Sequence, residues 1–357
     1  MLPALYVAEL LFVATGAGLA AILHPYILPL GRAGRFALGF ALAPFLTGAL
    51  ILAVISAWPG VPSLILALVP GAFGVALIIC SLLRARRFPF LRCGTNRLRN
   101  PVFVVQFTGL LIIAALIAFR IIYYVQQPTG NSDSLQYLQE AKHLASVRDF
   151  FTLSGIEGHA DGSLRGDPHG PLWIAYLGSA LVWAQATGVA SGEVLVRIPF
   201  QATLTFFFAA VVAFASALKP KPVIFVALLA CLAIPSLFNA SIGGDRDAFR
   251  LSALLLLAAF LLAHLRPGLR RACTPLTLVV AAALAAFAVQ GHGLSLIVVP
   301  LLIVIWAIIA LMARLPLRRM LLVCGAMAIG FAIGAAHVIG AYHATGSVTG
   351  DNVAAEQ

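Results

Sequence analysis

The sequence predicts an all-α, polytopic membrane protein with about ten transmembrane helices. Composition is the first reason. Of 357 residues, 62% are hydrophobic and 10% charged, with a mean hydropathy of +1.02. Soluble domains carry about 45–50% apolar and about 25% charged residues. The second reason is that apolar runs of roughly 20 residues recur along the whole chain, and a spanning helix is the simplest structure that satisfies every backbone amide in lipid. The third is where the basic residues fall. The net charge is +11, yet the arginines gather in short gaps between apolar runs. That is the pattern of cytoplasmic loops beside anionic lipid, so no nucleic-acid partner is expected.

A window of about 19 residues lays spans at 2–22, 36–57, 62–83, 102–125, 196–218, 222–239, 248–265, 274–290, 294–313 and 320–341. The amino end has no basic stretch before its apolar run, so it reads as a first span rather than a cleaved signal. The five cysteines (Cys80, Cys93, Cys231, Cys273 and Cys324) lie in apolar runs or arginine-rich gaps, without disulfide or CxxC metal spacing. Three units follow. Residues 1–100 hold extra transmembrane helices and a basic cytoplasmic loop, 101–343 form a membrane module with a polar loop at 126–169, and 344–357 are a polar tail.

Arg84, Arg86, Arg87, Arg92, Arg97 and Arg99 crowd one gap, which the positive-inside rule makes cytoplasmic. Counting spans from there puts loop 126–169 on the outer face. It holds half of the 12 acidic residues, namely Asp133, Glu140, Asp149, Glu157, Asp161 and Asp167. Three later gaps, at Lys219/Lys221, Arg266/Arg270/Arg271 and Arg314/Arg318/Arg319, share one side because they are spaced two spans apart. They fall inside only if the apolar segment 170–188 is re-entrant or interfacial. Most of the 23 basic residues are then cytoplasmic, and gaps 239–247 and 290–293 lie outside.

Three polar clusters meet on that outer face. In the first, Asn131 to Leu144, an amphipathic surface helix is expected, with Leu135, Leu138 and Leu144 as its apolar stripe and Asp133, Tyr137 and Glu140 on another face. Asp133 also suits an N-cap, with Gln136 completing a capping box. The second, Arg165-Gly166-Asp167-Pro168-His169-Gly170-Pro171, resists helix formation before Gly170, and Pro171 suits a first helical turn. His169 there is either a solvated loop residue or a group that binds phosphate or moves a proton. The third cluster sets Asp245, Arg246, Asp247 and Arg250 at a span boundary, where charges must pair or meet water. They form either a salt-bridged rim or part of a site. His292, within Gln290-Gly291-His292-Gly293, faces the same side, and Glu9 is an unexplained acid within the first span.

Over residues 102–341 the chain resembles the GT-C superfamily of membrane glycosyltransferases, which includes protein O-mannosyltransferases and aminoarabinose transferases. The resemblance lies in Asp133, Tyr137, Leu138 and Ala141, in His169-Gly170-Pro171-Leu172, in Arg197-Ile198-Pro199 and in Asp247-Ala248, taken in that order. Asp133-Ser134 stands where the family often has Asp-Glu, and His-Gly-Pro replaces His-Pro-Pro. The resemblance implies transfer of a sugar from a polyprenyl-phosphate donor to a glycan, lipid or protein acceptor, at the outer (periplasmic) face of a bacterial inner membrane. It gives Asp133 the role of catalytic base. Tyr137, Arg165, His169, Arg246, Asp247, Arg250 and His292 become candidates for holding substrate and lipid phosphate. A divalent cation at Asp247 stays open, and no cofactor is assigned. The prenyl tail is expected in a lipid-facing groove along segment 170–188. A lipid or solute transporter and a polysaccharide polymerase or ligase are the competing functions.

Overall fold

The computed structural model describes residues 32–84, 137, 140–142, 144–146, 156–158, 164–166, 171–188, 206–218, 247–265, 274–291 and 293–345. Within them eight long helices form: α1 (Arg32–Ala57), α2 (Ser63–Arg84), α3 (Pro171–Thr187), α4 (Phe206–Leu218), α5 (Asp247–His264), α6 (Pro275–Gln290), α7 (Ser295–Met312) and α8 (Leu317–Thr345). Four stretches are long and apolar enough to cross a membrane: Ala37–Ala57, Ser63–Cys80, Ser295–Met312 and Leu317–Ile339. They coincide with four expected spans. The helices α4, α5 and α6 are shorter apolar helices inside three more. Expected spans 2–22, 102–125 and 222–239 lie outside the described residues, as does Glu9. These apolar helices fit an α-helical integral membrane protein.

The α-helical expectation holds for the described residues, with one short ladder beside the helices. Within loop 126–169, β1 (Ile156–Gly158) and β2 (Leu164–Gly166) pair antiparallel, with Glu157 opposite Arg165. Such a ladder is a local way to satisfy backbone groups in the glycine-containing stretch around it.

Sequence sets the helix ends. Thr274 caps α6 by accepting from the Thr277 amide at 3.2 Å, and Pro275 follows where no amide is needed. The α7–α8 turn closes as a Schellman motif. The Leu315 amide donates to the Ala310 carbonyl at 3.0 Å and the Arg314 amide to Leu311 at 2.9 Å. Arg314 takes the left-handed position at φ 55°, where glycine is the usual occupant.

The carboxyl half forms an alternating bundle. Trp306 of α7 donates to the Leu261 carbonyl at 2.8 Å, and Arg319 of α8 to the His264 carbonyl at 3.0 Å. The last turn of α5, the second half of α7 and the first turn of α8 thus share one end, beside basic residues 314, 318 and 319. In that end Arg319 donates to a carbonyl in the last turn of a neighbouring helix, the kind of group a helix leaves for side chains to satisfy. At the far end, the turn after α6 meets the first turn of α5. Between these ends α6 and α8 run parallel and very close. A Cβ on Gly330 would meet the Ala282 carbonyl oxygen, and one on Gly334 would stand 2.8 Å from the Ala286 carbonyl oxygen. Small residues spaced four apart let these backbones touch, the association mode suited to a solvent without a hydrophobic effect.

The amino half is held differently. Three aromatic side chains meet around Phe249, which lies 4.2 Å from Phe45 of α1 and 5.0 Å from Trp173 of α3 between ring centroids. Tyr176 stacks on Phe249 and meets Phe206 of α4 edge-on. The helix α3 is buried from Pro171 through Gly178 and again from Ala180 through Ala184. The expected lipid-facing groove along 170–188 is therefore absent from the described face of the molecule. Segment 170–188 is a core helix, because its apolar residues surround the helix instead of forming one stripe.

Candidate functional site

Asp133, His169, Arg246 and His292 lie outside the described residues. The other four predicted site residues can be placed. Tyr137 is helical and 4% exposed, and its ring meets Trp173 edge-on at 6.3 Å. The expected polar face for Tyr137 is thus corrected. Tyr137, Ala141, Leu144 and Ala145 form the buried stripe, at spacings of four, seven and eight, while Glu140 is half-buried and Lys142 exposed. Two features explain the shift. Tyrosine carries a large apolar ring, and this stripe faces α3, where a Cβ on Gly178 would meet Leu144.

Arg165 occupies the middle of β2. Asp247 is the first residue of α5 and Arg250 follows within its first turn. Arg250 is half-buried. Its Cα would lie 3.2 Å from a Cβ on Gly291, so the turn after α6 rests directly on the first turn of α5. Clusters 40 or so residues apart in sequence, roughly 60 Å along an extended helix, are therefore joined at one point. The amino end of α3 reaches the same region, through the Trp173–Phe249 contact. Leu172 of α3 also lies against α1, its carbonyl oxygen 2.6 Å from the Cβ position of Gly48.

Beneath this junction is a polar pair that inspection of the sequence passes over. Gln290 Nε2 of α6 donates to the Gly334 carbonyl of α8 at 2.8 Å, and His337 Nδ1 lies 2.7 Å from the same oxygen. Gln290 Nε2 also stands 3.1 Å from His337 Nδ1, so the tautomer of His337 decides whether Nδ1 donates to Gly334 or accepts from Gln290. His337 is 7% exposed within a spanning helix. Ser295, at the start of α7, buries an Oγ that has no hydrogen-bond partner among the described residues. His337 had no motif around it, and only its place opposite Gln290 distinguishes it. At the opposite end, His264 is fully buried, with Nδ1 2.8 Å from the Phe260 carbonyl.

Among the described residues no three His, Cys, Asp or Glu side chains gather as a metal-binding group. No family model, curated protein or solved structure matches the chain.

Proposed function

We propose that the protein is a glycosyltransferase that moves a sugar from a polyprenyl-phosphate-linked donor to a glycan, lipid or protein acceptor at the outer face of a bacterial inner membrane. One observation carries the reading: the first turn of α5, with Asp247 and Arg250, meets the Gln290–Gly291 turn and the amino end of α3. These are the ends that charge placement assigns to the outer face, and they bring two segments of the resemblance, Pro171-Leu172 and Asp247-Ala248, into one neighbourhood. In this reading Asp133 deprotonates the acceptor hydroxyl as it attacks the anomeric carbon, and the glycosidic bond to the lipid phosphate breaks. Arg250, with Arg165, Arg246 and His169, offsets the charge of the departing phosphate. Tyr137 now serves as a wall of the site through its packing on Trp173, and Asp247 and His292 hold its rim.

The finer topology belongs to the same proposal. It has about ten spans, a non-crossing α3, and basic gaps on the cytoplasmic side. The test is transfer of labelled sugar from a polyprenyl-phosphate donor in membranes carrying wild-type or Asp133→Asn chain. Loss of transfer with unchanged membrane insertion is expected. Full turnover by the mutant would reduce Asp133 to a helix cap.

A second reading, transport of a lipid or solute, has one observation in its favour. His337 and Gln290 are polar groups inside the spanning bundle, where ionisable residues commonly mark a pathway. Flipping of a fluorescent polyprenyl lipid in vesicles, with no sugar transferred, would select it.

A further inference from the structure

The turn between α7 and α8 carries positive charge that no described residue answers. Arg314 and Arg318 are exposed there, and neither side chain makes a hydrogen bond or ion pair among the described residues. Asp247 opens α5, and the next acid in the sequence is Asp351, after the end of α8. Between those two acids stand seven arginines and no acidic residue. At the rise of an α-helix, Asp247 is about 26 Å from His264 along α5, and α8 runs about 42 Å from Leu317 to Thr345. Arg319 binds the His264 carbonyl, so the turn sits at the end of both helices far from these acids. The other described acids, Glu140 and Glu157, belong to loop 126–169.

The flanks of the turn are apolar. Leu311 and Met312 end α7, Leu317 opens α8, and Leu321 follows one turn on. The three leucines are more than half exposed, and Met312 is 78% exposed. Arg314 stands between these flanks at φ 55°, a backbone that suits glycine better, and strain of this kind clusters at functional sites. Guanidinium groups match the oxygens of a phosphate, and the amino end of α8 adds partial positive charge. Charge alone would accept any anion, and apolar surface alone any hydrophobic partner. Together they select an amphiphile with an anionic head. A second copy of this chain would bring the same arginines and be repelled. A nucleic acid offers phosphates but no cover for Met312 and the leucines.

We propose that the α7–α8 turn is a docking site for an anionic phospholipid. Arg314 and Arg318 take the headgroup phosphate, and the acyl chains lie along Leu311, Met312 and Leu317. The α1–α2 turn supplies a contrast within the same molecule. Residues 58–64 there carry no charge, while Trp58 and Leu64 are exposed, so that turn should not distinguish lipid headgroups by charge. The site lies at the opposite end of the bundle from the Arg250–Gly291 junction. It does not rest on sugar transfer, and a chain without transferase activity would keep it.

Quenching by labelled lipid tests it. Bimane is attached to one cysteine, Leu321→Cys or Leu64→Cys, in a full-length chain whose five native cysteines are replaced by alanine. Doxyl-labelled phosphatidylglycerol or phosphatidylcholine, with identical acyl chains, is titrated into the detergent micelles. At Leu321, phosphatidylglycerol should reach half-quenching at a mole fraction about 30-fold lower than phosphatidylcholine, each arginine adding about fivefold. At Leu64 the two lipids should match. A preference below about fivefold at Leu321, the share of one arginine, would overturn the proposal, as would an equal preference at Leu64. Arg314→Gln/Arg318→Gln should remove at least about fivefold of the preference, and a smaller loss would overturn it. If that variant does not fold, Arg318→Gln decides alone: a clear loss upholds the site and an unchanged preference overturns it. Inorganic phosphate should release the lipid no better than sodium chloride at the same ionic strength. Better release would assign the turn to a free anion and overturn the lipid site.

Discussion

The two halves of the described molecule hold their helices by opposite means. In the amino half, α1, α3, α4 and α5 are joined by large rings that centre on Phe249. In the carboxyl half, α6 and α8 are joined by absent side chains, at Gly330 and Gly334. The contrast follows from the surfaces being joined. The helix α3 is apolar on every side and fills a gap between neighbours, which rewards volume. The α6–α8 pair runs parallel in register over two turns, which rewards close backbone approach. Large-to-small changes should therefore be costly in one half, and small-to-large changes in the other.

Thermal unfolding of purified protein in detergent can break that comparison. Trp173→Ala should have the largest effect, a loss of about 4 kcal/mol, because it removes a 1% exposed indole from the ring cluster. Gly330→Leu should cost about 3 kcal/mol by overpacking against the Ala282 backbone, while Gly330→Ala is smaller in volume but still meets the Ala282 carbonyl. If Gly330→Leu were neutral, the close approach would be wrong. The double variant of Trp173 and Gly330 should lose the sum of the single losses, since Trp173 packs on Tyr137, Tyr176 and Phe249 while Gly330 lies against Ala282; coupling above about 0.5 kcal/mol would mean that the halves act as one unit.

Smaller effects sharpen the picture. Gln290→Leu should cost about 1 kcal/mol, the usual scale of an interhelical hydrogen bond inside a membrane protein. Arg319→Met removes the donor to the His264 carbonyl and should cost about 1 kcal/mol. Arg314→Gly should stabilise the chain by up to about 1 kcal/mol, because it relieves a left-handed backbone that an arginine adopts at a cost. A destabilising Arg314→Gly would mean the arginine side chain outweighs its strained backbone.

Much of the architecture was legible because it depends on one-dimensional quantities. Apolar run length locates α1, α2, α7 and α8, and Thr274-Pro275 marks where α6 starts. The site was less legible. The polar face assigned to Tyr137 failed because helical spacing gives which residues share a stripe, while the neighbour decides which stripe is buried; here that neighbour is the Trp173 face of α3. The lipid-facing groove along 170–188 failed for a related reason. An apolar segment reads alike whether lipid or protein surrounds it. His337 escaped notice because a lone histidine in an apolar run gains meaning only from the residue across the interface.

The sequence by itself determined that loop 126–169 is the long polar interruption in an apolar chain, and that basic residues gather in short gaps between apolar runs. Charge and hydropathy act on each residue against its solvent, so they can be read without a fold. Tertiary structure alone decided that Arg250 rests on Gly291, that Gly334 accepts from Gln290, and that Leu172 meets α1 at Gly48 rather than at its end. Those relations depend on how far one helix slides along another. Backbone contact sets that offset, and no property of either helix alone contains it.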